Sequence, residues 1–281
     1  MLRDRVKKII AGLLYFSGIN FIYNKIYPQR LILIGGHSII KYGNKNDVVV
    51  ENYKDLSIDD RFLEKQINYL LKNGYRFLNF EMVNKILETG KTLPQKSVII
   101  YFDDGFKDNY QNVYPIFKKY NLPFVIFVSI DLIDQKQLSS RVKGMLGELS
   151  KAENKVFLNW NEVKSMLDLA EIGSHGKTHI DFTELKEKEL KEELSYSIKR
   201  IKDETGEEPI VLSYPHGKYD LQIKEIVREA GFKFAITTKQ GRAEINDRLE
   251  LKKIVIYFNE NMTIFKLKLG IFYRLINLLN L

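Results

Sequence analysis

The chain has 281 residues and 44 Lys+Arg against 36 Asp+Glu, a formal charge of +8. That length suits one α/β barrel, and 44% hydrophobic with 28% charged residues is the balance of a folded globule, not of a disordered chain. Without cysteine there are no thiolate metal sites, cysteine nucleophiles or disulfides, so a metal must be held by Asp, Glu or the four histidines His37, His175, His179 and His216.

Residues 1–30 begin with Arg3, Arg5, Lys7 and Lys8, and Ile9, Leu13, Phe16 and Ile19 then share one helical face. The apolar run is shorter than the roughly 20 residues of a membrane span, and no small-x-small cleavage site follows it. The pattern predicts a basic amphipathic helix, read either as lying on an anionic membrane surface or as capping the barrel.

Apolar runs predict strands at Leu31–Ile34, Val98–Phe102, Phe124–Val128, Ile210–Tyr214, Phe234–Thr237 and Ile254–Phe258. Helices are predicted between them. One follows a Ser57-x-x-Asp60 capping box and stops at Gly74; others run from about Lys186 to Asp203 and from Leu221 to Ala230. Six or more such units without a glycine-rich dinucleotide fingerprint favour a (β/α) barrel over residues 31–260, with chemistry at the C-terminal strand ends. Residues 131–157 are weakly patterned and are expected to cross over the site. Residues 261–281 repeat the basic amphipathic pattern, with Ile264, Leu267, Ile271 and Leu275 on one face.

Three segments between residues 97 and 260 carry chemistry. The strand ending at Phe102 runs into Asp103-Asp104-Gly105. Two adjacent carboxylates repel, and a nearby cation relieves them. Alternating side-chain direction lets one face a metal while the other takes a second role. Next, Ser174-His175-Gly176-Lys177-Thr178-His179 places two histidines at i and i+4, a common metal-ligand spacing. Last, Ser213-Tyr214-Pro215-His216-Gly217 follows a strand; Pro215 has no N–H, so the N–H of His216 is the next donor for a pocket.

In this order the three segments resemble the motifs of the polysaccharide deacetylases of carbohydrate esterase family 4, the NodB-homology group. Leu158–Val163 and Glu229–Ala235 resemble further family segments. The strand Leu31–Ile34 running into Gly35-Gly36-His37 is closest in pattern to the biofilm poly-N-acetylglucosamine deacetylase branch.

The resemblance implies a distorted NodB-type (β/α) barrel that removes N-acetyl groups from an N-acetylated polysaccharide or oligosaccharide. It implies one divalent metal, zinc by expectation, on Asp104, His175 and His179. Asp103 becomes the general base, the His216 N–H an oxyanion donor and His37 the candidate general acid. Tyr214, Pro215 and Trp160 would touch substrate, and Lys253 would orient the base where relatives often carry arginine. Gly176 stands where the family usually has Ser or Thr. Two other readings stand beside this one: a different C–N hydrolase on the same barrel, and a membrane-attached glycan-binding protein without turnover. Nucleic acid is not expected, because the basic residues are dispersed. The expected location is extracytoplasmic or at the cell surface, peripheral to the membrane, with its cytoplasmic face as the alternative.

Overall fold

The structure, a computed structural model, describes residues 12–13, 18–19, 31–43, 57–133, 156–255 and 260–270. Seven strands close a parallel barrel: β1 (Leu31–Gly36), β5 (Ser97–Phe102), β6 (Phe124–Val128), β7 (Ala170–Ser174), β8 (Val211–Ser213), β9 (Phe234–Gln240) and β10 (Leu251–Val255). Closure comes from β1, which pairs with β10 on one edge and with β5 on the other. Short β4 (Arg76–Phe77) joins the start of β5, and β2 (Ile39–Ile40) pairs with β3 (Ile58–Asp59) as a separate two-stranded sheet.

The wall strands are apolar on both faces because both are covered. Leu33, Ile99, Val125, Phe127, Phe234 and Leu251 point inward and pack on Phe80 and Val83 of helix α2 (Phe80–Glu88). Outside, Ile32, Ile34, Val98, Ile100 and Ile126 meet residues of α1 (Asp60–Lys72), α3 (Tyr114–Tyr120) and α5 (Trp160–Lys164). A third apolar cluster joins α6 (Glu187–Thr205) and α7 (Leu221–Glu229) to Leu212 and Ala235. The remaining helices are the single-turn α4 (Ile130–Ile133) and α8 (Met262–Lys268).

Several expectations are corrected. The N-cap of α1 is Asp59, whose carboxylate accepts from the Phe62 N–H at 2.8 Å; Ser57 is not the cap. The last strand begins at Leu251, three residues before the expected start, because Lys252 faces outward and Lys253 inward, which masks its apolar pattern; positions 256–258 of the expected run lie outside the described residues. Strand β7 escapes the pattern for a similar reason: Glu171 and Gly173 occupy inward positions. The predicted membrane face of the C-terminal segment is partly a core face, since Ile264 and Leu267 are buried. Ile271 and Leu275, the N-terminal helix positions Ile9 and Phe16, and most of the predicted 131–157 crossing lie outside the described residues.

Candidate active site

Strand register places the first carboxylates. Gly36 of β1 is level with Phe102 of β5, and the Asp103 N–H donates to the Gly36 carbonyl at 3.0 Å. His37 therefore leaves the barrel beside Asp103, with its Nε2 3.9 Å from Asp103 Oδ2. Lys253 enters from β10, the other neighbour of β1, and its Nζ is 3.5 Å from the same oxygen. Asp103 and Lys253 are both buried, so this ion pair is poorly screened. Burial lowers the pKa of His37, against the opposing pull of Asp104 and Asp103.

Asp104 faces the two histidines. Its Oδ1 lies 3.3 Å from His175 Nε2 and 3.0 Å from His179 Nε2. Burial alone would raise its pKa; the two imidazoles overcome this and hold it well below the ordinary carboxylate range. His175 Nδ1 donates to the Ser213 carbonyl at 2.7 Å, which leaves Nε2 as the lone-pair atom turned toward Asp104. One ligand atom from each of the three residues lies within 4.8 Å of the others, and all three residues are buried. Both Asp104 oxygens are buried without a hydrogen-bond partner among the described residues, an arrangement that suits a cation between carboxylate and imidazoles. The residues therefore fit a divalent metal, and three ligands leave positions open for water and substrate.

The backbone around this cluster is unusual. Asp104, His179 and His216 have φ of 73°, 59° and 57°, three of the five non-glycine residues with positive φ among the described residues. Left-handed backbone costs a residue with a side chain about 1 kcal/mol or more, and it concentrates at functional sites.

The structure brings Asp103, Asp104, His37, His175, His179 and Lys253 together. His216 is exposed at the rim, its ring 4.9 Å from that of His179 and edge-on to it. Pro215 is buried at the start of the same turn. Tyr214 is a correction: it points into the outer cluster, stacks on Tyr219 and donates its hydroxyl to the Leu249 carbonyl at 3.2 Å. It alternates with inward Ser213 and so faces away from the mouth. Trp160 is a second correction. It is the first residue of α5, buried in the outer core, with Arg200 of α6 over its ring at 5.1 Å.

Sequence reasoning missed the supports of the loops. Asp181, fully buried, pairs with Lys218 Nζ at 2.7 Å and ties the loop after His179 to the loop after His216. Asn109 and Asn112, in a π-helical turn after the double aspartate, donate to the carbonyls of His37 and Ile39 at 2.9 and 2.6 Å. Their only signal was nearness to the motifs, because the pairing partners lie 37 to 73 residues away along the chain.

A closed parallel barrel with two buried carboxylates and two histidines at its C-terminal strand ends defines a class, the (β/α) barrels with a candidate metal centre at the mouth. The sequence profile of the polysaccharide deacetylase family matches residues 90–235, just over half of the chain, and the chain belongs to that family. It is 27% identical over 217 residues to YxkH of Bacillus subtilis, a polysaccharide-deacetylase relative, covering 77% of this chain and 67% of that protein. It is 25% identical over 198 residues to a Staphylococcus aureus poly-beta-1,6-N-acetyl-D-glucosamine N-deacetylase, covering 66% of this chain and 63% of that protein. The chain thus spans about two thirds of the length of these relatives. The fold is shared with the Streptococcus pyogenes deacetylase PplD, solved in complex with acetate: the TM-score is 0.67 at 22% identity, over 83% of this chain and 94% of that one.

Proposed function

We propose that this protein removes N-acetyl groups from an N-acetylated glycan, using a divalent metal, zinc as the first candidate, held by Asp104, His175 and His179. The observation that carries the reading is the division of labour between adjacent carboxylates. Asp104 faces the imidazoles, while Asp103 faces Lys253 and His37. A divalent cation held by Asp104, His175 and His179 would supply Lewis-acid polarisation of the reacting groups. Asp103 takes the proton of the attacking water, and Lys253, with its Nζ 3.5 Å from Asp103 Oδ2, orients it for that task. His37, with its Nε2 3.9 Å from Asp103 Oδ2, is assigned to protonate the departing amine. The His216 N–H, set in a left-handed turn at the rim, is assigned to the developing oxyanion.

The poly-N-acetylglucosamine deacetylase among the relatives supports a β-linked N-acetylglucosamine polymer as first substrate. With such a polymer as substrate, the location we propose is outside the cytoplasm or at the cell surface. Attachment to an anionic membrane rests on the basic amphipathic pattern of the two ends of the sequence, residues 1–25 and 261–281; among the described residues, no helix is long and apolar enough to cross a membrane. Acetate release by the purified, Zn²⁺-loaded protein from poly-N-acetylglucosamine, chitooligosaccharides and small amides tests the proposal. Release from a glycan is expected. Release from small amides alone makes it a different C–N hydrolase, and tight metal binding without any release makes it a binding protein.

A further inference from the structure

The loop that carries His175 and His179 is held from behind by α6, and we propose Glu193 of that helix as its positioning residue. The inference rests on the reading that Asp104, His175 and His179 hold a metal. At the crest of the loop, Gly176 has φ +77°, and a Cβ there would come within 3.1 Å of Glu193 Oε1 and 3.3 Å of the Phe182 ring. A side chain at the crest would be strained by this φ and would have to push both neighbours back by a few tenths of an ångström. The acceptor comes from the helix instead. Glu193 Oε1 accepts from the Lys177 N–H at 2.8 Å, the Thr178 N–H at 2.5 Å and the Thr178 hydroxyl at 2.9 Å. Glu193 is only 7% exposed, while its donors on Lys177 and Thr178 are half-buried.

Other backbone groups of the loop are held from neighbouring segments. The His175 N–H donates to Val128, and the carbonyls of His175, Gly176 and Lys177 accept from Ser129 Oγ, Ile130 N and Asp131 N. Ser197, one helical turn after Glu193 and on the same face, is 2.9 Å from Ser174 Oγ, which accepts from the Gly176 N–H. Among these supports only Glu193 brings a charge, and a carboxylate receiving several N–H and O–H donors makes bonds roughly twice as strong as neutral ones. Its removal leaves two half-buried amides and a hydroxyl without their protein acceptor. The loop then loses the turn that aims both imidazoles at Asp104. Glu193 touches neither substrate nor metal, and it acts through the ligands.

The test uses the full chain with Zn²⁺ alone, in chelator competition, together with hydrogen exchange of the Lys177 and Thr178 amides in metal-free protein. Glu193→Ala should weaken Zn²⁺ binding about tenfold or more, the usual cost of losing a partner behind a ligand, and should speed exchange at both amides. Glu193→Gln keeps an oxygen acceptor and should recover most of both. Should Glu193→Ala fail to fold, Glu193→Asp keeps the charge, loses one methylene of reach and should show the same losses. Parental Zn²⁺ affinity in Glu193→Ala or Glu193→Asp overturns the proposal while the metal reading stands. Parent protein that takes up no Zn²⁺ overturns the metal reading, and the proposal falls with it.

Discussion

Asp103 and Asp104 are neighbours at 2% and 1% exposure, and each meets its own set of partners. Asp104→Asn should abolish stoichiometric metal uptake, since a neutral amide is a poorer ligand for a divalent cation than a carboxylate. Asp103→Asn should keep the metal and lose turnover by a factor of roughly 100 or more. Metal analysis beside steady-state kinetics reads both; the reverse pattern exchanges the two roles. Lys253 is the buried counter-charge of Asp103 and stacks over the Tyr101 ring at 5.6 Å. Removing one partner of a buried pair leaves an uncompensated charge, so Lys253→Met should lower unfolding free energy by about 3 kcal/mol. It should also reduce turnover with metal content unchanged. A variant as stable and active as the parent would mean that the pair contributes nothing.

At the scale of elements, the barrel wall is fitted around its inward side chains. A Cβ on Gly35 of β1 would sit 2.4 Å from the Tyr101 hydroxyl of β5. That hydroxyl is buried without a partner among the described residues. Tyr101→Phe should therefore be neutral or stabilising. Gly35→Ala should cost about 1–3 kcal/mol through overpacking, and part of that loss should return in the Tyr101→Phe background. Denaturation midpoints of the four proteins form the cycle. At the barrel floor, Glu171 of β7 accepts from the first amides of α2, Phe80 N–H at 2.6 Å and Glu81 N–H at 3.3 Å. Burial pushes its pKa up to about 7, against those amides and from an ordinary 4.5. The folded state thus binds this proton more tightly than the unfolded chain. Its contribution to stability is present below pH 4.5 and is lost as pH rises toward 7, on the order of 3 kcal/mol. Glu171→Gln should match the parent near pH 5 and melt higher at pH 8; equal pH dependence of the two melting curves would remove this assignment.

For the molecule as a whole, the C-terminal helix belongs to the body of the barrel. Phe265 of α8 is fully buried and meets the Tyr69 ring of α1 edge-on at 6.2 Å. Phe265→Ala should cost about 3–5 kcal/mol, read as a lower denaturant midpoint. A truncation meant to test membrane binding therefore has to keep residues through 270. Removal of residues 1–25 and 271–281 should release the protein from anionic vesicles and leave turnover of a soluble substrate intact. Equal vesicle binding by parent and truncated protein would end the membrane reading.

Much of this could be read from the chain alone, because it depends on local order. The strand ends at Phe102, Ser174 and Ser213 carry their polar motifs immediately afterward, and periodicities of 2 and 3.6 mark the alternating elements that dictate a barrel. His175 and His179 share a turn, so their joint role needed no fold. What lay hidden was set by closure. Only when β1 slots between β5 and β10 do His37, Asp103 and Lys253, spread over more than 200 residues, reach one another. The direction of side chains was decided there too. Tyr214 and Trp160 sit beside motif residues in sequence yet face the outer core, because strand alternation and helix packing turn them from the mouth. Glu193 and Asp181 gained their purpose in the same way: a buried carboxylate takes its meaning from the donors around it, and those donors come from segments that only the folded barrel brings near.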